Sequence, residues 1–312
     1  MHQAAITVSG LAKRYGEVTA LADVSLVVET GTVLGVLGHN GAGKTTLIDV
    51  LSTRAKPSAG HARVCGFDVV RDGHQVRRRI GVTGQFAGVD DGLSGRDNLV
   101  LVARLLGANG HQARARARDL IDVFGLGDAA ERPAKTYSGG MRRRLDLAAG
   151  LVGSPQVLFL DEPTTGLDPM SRTGLWEMVE RLSSNGTTVV LTTQYLEEAD
   201  RLADHIVVLG LGRVTVSGTP AQLKARLGER TATISFGSEL ATRRALDALS
   251  KLGMPATTSG FVLGVALTGP ADLAVLVRTL DSAGAPLKDL TVKEPTLDDV
   301  YLSLHRTREV LR

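Results

Sequence analysis

Disulfides, long apolar runs and aromatic platforms are all missing from this sequence, and each absence closes off a class of protein. A single cysteine, Cys65, leaves no partner for an intrachain disulfide, which fits a reducing compartment. Apolar runs such as 189–191, within TTVVLTT, fall far short of the ~20 residues needed to span a bilayer. The opening stretch MHQAAITVSGLAKRYG lacks the long apolar core of a signal peptide. These absences predict a cytoplasmic protein whose membrane role, if it has one, runs through a partner. Aromatics make up 4% of the residues and the net charge is +3, too little stacking surface and too little positive charge to indicate a nucleic-acid partner. Arginine clusters such as 77–79 and Arg114, Arg116 and Arg118 lie in helical patterns, where a solvated helix face accounts for them.

What is present points to an α/β fold. A chain of 312 residues exceeds one compact core, so a large domain plus a smaller one is expected. Short Val/Ile/Leu runs at 33–37, 80–83, 157–160, 188–192 and 206–209 are continuous rather than alternating, which suits strands buried on both faces of a parallel sheet. Helical patterns cover 44–52, 97–106, 113–124, 139–151 and 172–183. Between about 90 and 153 the strand pattern vanishes, predicting a helical subdomain inserted between two strands. Past 228 the pattern changes again. Strands at 231–236, 261–267 and 287–292, helices at 240–252 and 271–283, and a faint strand near 256–258 resemble a βαββαβ unit, closed by a helix at 297–305. The expected domains are 1–228 and a small α+β domain at 229–312.

Chemistry concentrates in two places. Gly38-His39-Asn40-Gly41-Ala42-Gly43-Lys44-Thr45 matches G-x-x-x-x-G-K-[ST], and it follows an apolar run and opens a helical pattern, the context a phosphate-binding loop requires. Glycines let successive backbone N–H groups turn inward around phosphate oxygens, and the helix N-terminus adds a positive dipole. Lys44 can reach the β- and γ-phosphates of a nucleoside triphosphate, and the Thr45 hydroxyl can coordinate Mg²⁺. His39 is incidental, because such a loop binds through its backbone. The second place is 157–162, an apolar strand ending in Asp161 and Glu162. Asp161 would hold Mg²⁺ through water, and Glu162 would polarise the attacking water as general base.

Between these elements lies Tyr137-Ser138-Gly139-Gly140-Met141-Arg142, which resembles the LSGGQ signature of ABC transporter ATP-binding subunits, with Tyr for Leu and Met for Gln. The resemblance runs over about 6–227 and implies a P-loop ABC ATPase fold. Its implied cofactor-binding set is Tyr15 (stacking on adenine), Gly38, Asn40, Gly41, Gly43, Lys44, Thr45, Thr46, Gln85, Ser138, Gly139, Gly140 and Asp168. Gln85 joins Thr45 and Asp161 as a metal-contacting residue. The serine and glycines of the signature imply a γ-phosphate site for an opposing copy, so that two chains close head-to-tail as a homodimer around ATP. Gly166-Leu167-Asp168 resembles the loop that crosses that interface. One position departs from the family: Gln194, in TTQYLEEAD, stands where most members carry a histidine on the γ-phosphate. An amide can donate and accept a hydrogen bond but cannot carry positive charge.

TTQYLEEAD and the tail Glu294-Pro295-Thr296-Leu297-Asp298-Asp299-Val300-Tyr301-Leu302 resemble the daunorubicin/doxorubicin-resistance type, found in actinobacterial drug exporters. That implies a subunit that hydrolyses ATP to drive export through a separate membrane-spanning permease, peripheral on the cytoplasmic face of the cell membrane. Phe86, Val89 and Leu93, among the polar residues of 85–98, suit docking of the permease's cytoplasmic helix. Two alternatives stand beside it: a soluble ABC-type ATPase acting on ribosomes or DNA, and a weakly hydrolysing nucleotide-dependent regulator. The tail can also be read as a plain amphipathic helix capped by Thr296.

Overall fold

Five apolar strands share the middle of the chain's first compact unit because both of their faces are covered. The structure is a computed structural model that describes residues 4–84, 88–225, 230–267, 269–293 and 296–299. It divides into two compact units, Met1–Pro220 and Ala221–Arg312. In chain order the strands of the first unit are β1 (Ala4–Tyr15), β2 (Val18–Glu29), β3 (Val33–Leu37), β4 (Ala59–Val64), β5 (Phe67–Asp68), β6 (Ile80–Thr83), β7 (Val157–Asp161), β8 (Thr188–Thr193), β9 (His205–Gly210) and β10 (Arg213–Gly218). Its helices are α1 (Lys44–Leu51), α2 (Gly73–Arg77), α3 (Gly95–Leu105), α4 (Gly110–Val123), α5 (Gly139–Gly150), α6 (Pro169–Ser184) and α7 (Leu196–Leu202); α8 (Pro220–Ala225) lies where the units divide.

The central sheet runs β10-β9-β3-β8-β7-β6. Strands β9, β3, β8, β7 and β6 are parallel, and β10 is antiparallel to β9. Alternate residues of β7 serve opposite cores. Leu158 and Leu160 pack with α3–α6, whereas Val157 and Phe159 pack with α1 and the second sheet. Each such fully buried side chain contributes about 1.5–3 kcal/mol relative to exposure, which is why these runs carry no polar alternation. The second sheet, order β2-β1-β4-β5, is antiparallel and lies outside the sequence expectation. The expected helical insertion is present as α3, α4 and α5, with Leu99, Ala117, Leu120, Ile121, Phe124 and Leu145 in its core. Val89 belongs to that same core at 7% exposure, so it is not a docking side chain as its sequence context had suggested.

The second unit holds β11 (Arg230–Phe236), α9 (Glu239–Lys251), β12 (Ala256–Ser259), β13 (Val262–Leu267), α10 (Pro270–Ser282) and β14 (Leu287–Lys293). Its antiparallel sheet has the order β12-β13-β11-β14, with Ile234, Leu249, Leu263, Val265, Leu276 and Leu280 in one core. The faint strand is the edge strand β12, which pairs with β13 alone. Thr296 caps the residues after it: its hydroxyl accepts from the Asp299 N–H at 3.3 Å while the Asp299 carboxylate accepts from the Thr296 N–H at 2.9 Å. The rest of the expected closing helix, with Glu294, Pro295 and the tail from 300 onward, lies outside the described residues. Among the described residues no helix is long and apolar enough to cross a membrane.

Candidate functional site

Parallel neighbours end at the same edge of a sheet, and here that edge gathers the candidate residues. Leu37 pairs with Thr193, Thr192 with Asp161, and Leu160 with Thr83. The segments that follow β3, β8, β7 and β6 therefore emerge side by side, bringing 38–43, Gln194, Glu162 and Gly84 to one edge. Gln85 and Phe86, assigned from sequence to the metal-contacting and docking sets, lie outside the described residues.

The glycine-rich loop has the geometry a phosphate cradle needs. Gly43 adopts φ +106, and a Cβ there would lie 2.6 Å from the Ala20 carbonyl oxygen, so no larger residue fits at the entry to α1. Lys44, the first residue of α1, is 5% exposed. Its Nζ donates to the Gly38 carbonyl at 2.8 Å and the His39 carbonyl at 3.4 Å, and lies 3.3 Å from Glu162 Oε1. The ammonium is thus aimed back across the loop toward the end of β7. Asn40, Gly41 and Thr45 are exposed at the loop surface, Thr46 is half-buried, and the His39 ring contacts the Asn40 carbonyl.

Asp161 is buried at the end of β7 and accepts a hydrogen bond from Thr192 Oγ1. Glu162, the next residue, has φ +47. A left-handed conformation at a non-glycine residue costs on the order of 1–3 kcal/mol and needs surrounding structure to hold it. Part of the hold is visible: the Glu162 N–H donates to both the Thr192 carbonyl and Thr192 Oγ1 at 3.1 Å. The donors available to a cation here are a hydroxyl and a carboxylate, oxygen ligands that suit Mg²⁺. Among the described residues no three His, Cys, Asp or Glu side chains converge on one point. A Mg²⁺ ion held by one or two protein oxygens and the nucleotide phosphates needs no such cluster.

The signature residues form a separate, exposed group. Ser138 N-caps α5, its Oγ accepting from the Met141 N–H at 3.3 Å, and Ser138 and Gly139 are exposed. Asp168 N-caps α6: its carboxylate accepts from the Ser171 N–H at 3.0 Å and the Ser171 hydroxyl at 2.6 Å, which together hold its pKa below the usual range. A Cβ on Gly140 would lie 2.5 Å from Ser171 Oγ, so the two caps are packed side by side. No hydrogen bond or ion pair among the described residues joins Ser138, Gly139 or Asp168 to Lys44 or Glu162. Tyr137, where the signature carries leucine, is half-buried, its hydroxyl donating to the Ala129 carbonyl at 2.7 Å; desolvation pushes its pKa up.

Tyr15 ends β1 and is 48% exposed, with Lys13 Nζ 4.6 Å from its ring centroid. Gln194 is exposed and makes no hydrogen bond within the described residues, directly after the strand residue that pairs with Leu37. Two residues escaped the sequence reading. Arg143 donates to three backbone carbonyls around β6 and β7, with its pKa drawn down by burial. Glu198 is fully buried, accepting from Thr164 Oγ1 and Trp176 Nε1, both at 3.2 Å. The Arg142-Arg143-Arg144 run held a usable signal for the first. Consecutive helix residues are about 100° apart, so three arginines cannot all occupy one solvated face.

The family described as ABC transporter matches residues 21–165. The chain is 48% identical to "Daunorubicin resistance ATP-binding protein DrrA3" of Streptomyces coeruleorubidus, across 97% of this chain and 96% of that protein. It is 36% identical to "Nod factor export ATP-binding protein I" of Ralstonia nicotianae, across 96% of this chain and 93% of that one. A solved structure described as a dimeric, post-hydrolysis ATP-binding cassette with ADP and Pi superposes with a TM-score of 0.62 at 23% identity, covering 69% of this chain and 98% of the other.

Proposed function

This chain belongs to the family of ABC transporter ATP-binding subunits, and from that premise we propose that it powers export of a drug or other hydrophobic small molecule through a separate membrane-spanning permease. It binds ATP and is an ATPase. The observation that carries the catalytic reading is the junction of Lys44 Nζ and Glu162 Oε1 at 3.3 Å, beside Asp161, at one sheet edge. A phosphate oxygen would compete with Glu162 for the Lys44 ammonium. That exchange would leave the Glu162 carboxylate facing the γ-phosphate, free to accept a proton from water. Thr45, Asp161 and Gln85 would be the metal-contacting residues for Mg²⁺, and Gln194 would orient the attacking water by hydrogen bonding. Mg²⁺ supplies charge neutralisation on the β- and γ-phosphates.

Two copies would close head-to-tail. Each would use its own Tyr15, Gly38, Asn40, Gly41, Gly43, Lys44, Thr45, Thr46, Asp161 and Glu162, with Ser138, Gly139, Gly140 and Asp168 of the other. The exposure of that second group supports this division, since a helix N-terminus and a hydroxyl left facing solvent suit a phosphate arriving from outside the chain. The ATP-binding domain is taken as 1–228 and the accessory domain as 229–312, with the whole held on the cytoplasmic face of the membrane by its permease.

The likeness to the daunorubicin-resistance relative extends through the accessory domain, which favours drug export over a free-standing ATPase. The test is reconstitution with a co-purified permease in lipid vesicles. ATP-dependent accumulation of daunorubicin that Glu162→Gln eliminates supports the reading. Robust ATP hydrolysis with no accumulation of daunorubicin or similar hydrophobic amphiphiles rejects the cargo assignment.

A further inference from the structure

Glu162 sits in a strained backbone conformation, and the group that brackets it comes from another helix. Arg143 lies on α5, five residues past the Ser138 cap and so about 7.5 Å along the axis. Its Nε donates to the Pro163 carbonyl at 2.7 Å and its Nη2 to the Asp161 carbonyl at 3.4 Å. These two carbonyls flank Glu162, whose φ is +47. The remaining arm, Nη1, donates to the Gly84 carbonyl at 3.2 Å, at the end of β6. Thr192 holds the Glu162 N–H from one side, and the guanidinium ties down the backbone on both sides of the residue.

Three carbonyls diverging from one point match a planar fork with five donors. A lysine ammonium, a single point on a flexible stem, cannot reach all three. The neighbours on the same helix do other work: Arg142 pairs with Asp91 at the surface, and Arg144 donates to the Phe124 carbonyl at 3.1 Å. Arg143 is therefore neither a solvated charge nor a cap.

We propose that Arg143 is a positioning residue for hydrolysis, fixing the Glu162 carboxylate by clamping the backbone on either side of it. The proposal rests on Glu162 being the general base. It also makes α5 a mechanical link: the helix whose N-terminus would receive a second copy's phosphate holds this chain's own base through one side chain. A phosphate settling on Ser138 would act on Glu162 through Arg143.

The test uses the full chain with Arg143→Lys and Arg143→Gln, with Glu162→Gln in parallel, reading kcat, KM and ATP affinity. A misplaced catalytic group of this kind lowers rate by about 100-fold. The expected result is such a loss in kcat for both Arg143 variants, with ATP affinity within about twofold of the parent, the scale of an unperturbed binding site. Both variants should also accumulate the ATP-bound dimer on size exclusion, as Glu162→Gln should, because closure precedes the stalled step. Arg143→Lys turning over at the parental rate overturns the proposal. So does a parallel loss of kcat and ATP affinity in both variants, which would make Arg143 a support for the fold alone. Full turnover by Glu162→Gln would instead reject the base assignment, whatever Arg143 does.

Discussion

The two halves of the proposed phosphate machinery differ in how completely this single chain satisfies them. Lys44 and Glu162 are 5% and 12% exposed, paired with each other and held by loop carbonyls and by Thr192. Ser138 and Asp168 face solvent and bond only to the first turns of their own helices. A buried ion pair must find its partners within the chain, since unpaired charge in the interior is costly. Exposed caps are under no such demand and can keep their helix N-termini open to a second molecule. On the proposed function, chemistry would fall to the buried half and dependence on a partner copy to the exposed half.

The largest expected effect tests the buried half. Glu162→Gln should cut turnover by about 100-fold or more, the range for loss of a general base, while ATP still binds. Steady-state phosphate release and equilibrium ATP binding measure the two; unchanged turnover would mean that the buried pair is structural. The exposed half is broken next. Ser138→Arg should leave ATP binding by the single chain intact and lower turnover on the order of 100-fold, as for a lost transition-state donor. Mixing the two variants sharpens the contrast. In a mixed dimer one composite site takes Glu162 from one chain and Ser138 from the other, both unaltered. Activity should reappear on mixing, and a mixture as inactive as its components would rule out the shared site.

The same contrast between buried and exposed explains what the sequence makes legible. Strands β3, β7 and β8 are buried along their full lengths, so their continuous apolar runs stand out. Strands β1 and β2 do not stand out, because their pairing is interrupted by register shifts and exposed positions such as Val18 and Val27 disturb the alternation. The glycine loop, Asp161 and Glu162 stand out because the roles proposed for them depend on residue type at fixed spacing. Glu198 does not, since its partners Thr164 and Trp176 are distant in sequence, and Arg143 shows only in that three consecutive arginines cannot share one solvated face, while its carbonyl partners stay hidden. A residue whose role lies in where its neighbours' backbone runs leaves little trace in the local pattern. In the second unit the order βαββαβ is readable from periodicity, while β12, exposed at three of its four residues on the sheet edge, gives only a faint signal.

Gln194 probes the boundary between the two halves, being exposed yet adjacent to the loop that holds Lys44. Gln194→Ala removes both its donor and its acceptor and should slow turnover about tenfold, equivalent to one hydrogen bond to a charged group. Gln194→His should retain turnover within a few-fold, since an imidazole can also donate to phosphate. An alanine variant as fast as the parent would remove Gln194 from the site.

The smallest effect concerns a carboxylate that the chemistry does not touch. Burial pushes the pKa of Glu198 above its ordinary value of 4.5, against the hydrogen bonds from Thr193, Trp176 and Thr164 and the charge of Arg172. Because the folded-state pKa lies above the unfolded one, this group's stabilising contribution is complete below about 4.5. It is lost as pH rises through the folded value. Glu198→Gln is neutral at every pH and can still accept from Trp176 Nε1 while donating to Thr164 Oγ1. Its melting temperature should therefore fall less than the parent's between mildly acidic and neutral pH. Trp176 is the only tryptophan and touches Glu198, so its fluorescence reports melting of this core directly. Parallel curves for parent and variant across that range would show that the Glu198 carboxylate does not titrate against folding. The steeper decline in the parent would mark the cost of keeping a charge inside the half of the molecule where Lys44 and Glu162 are already paired.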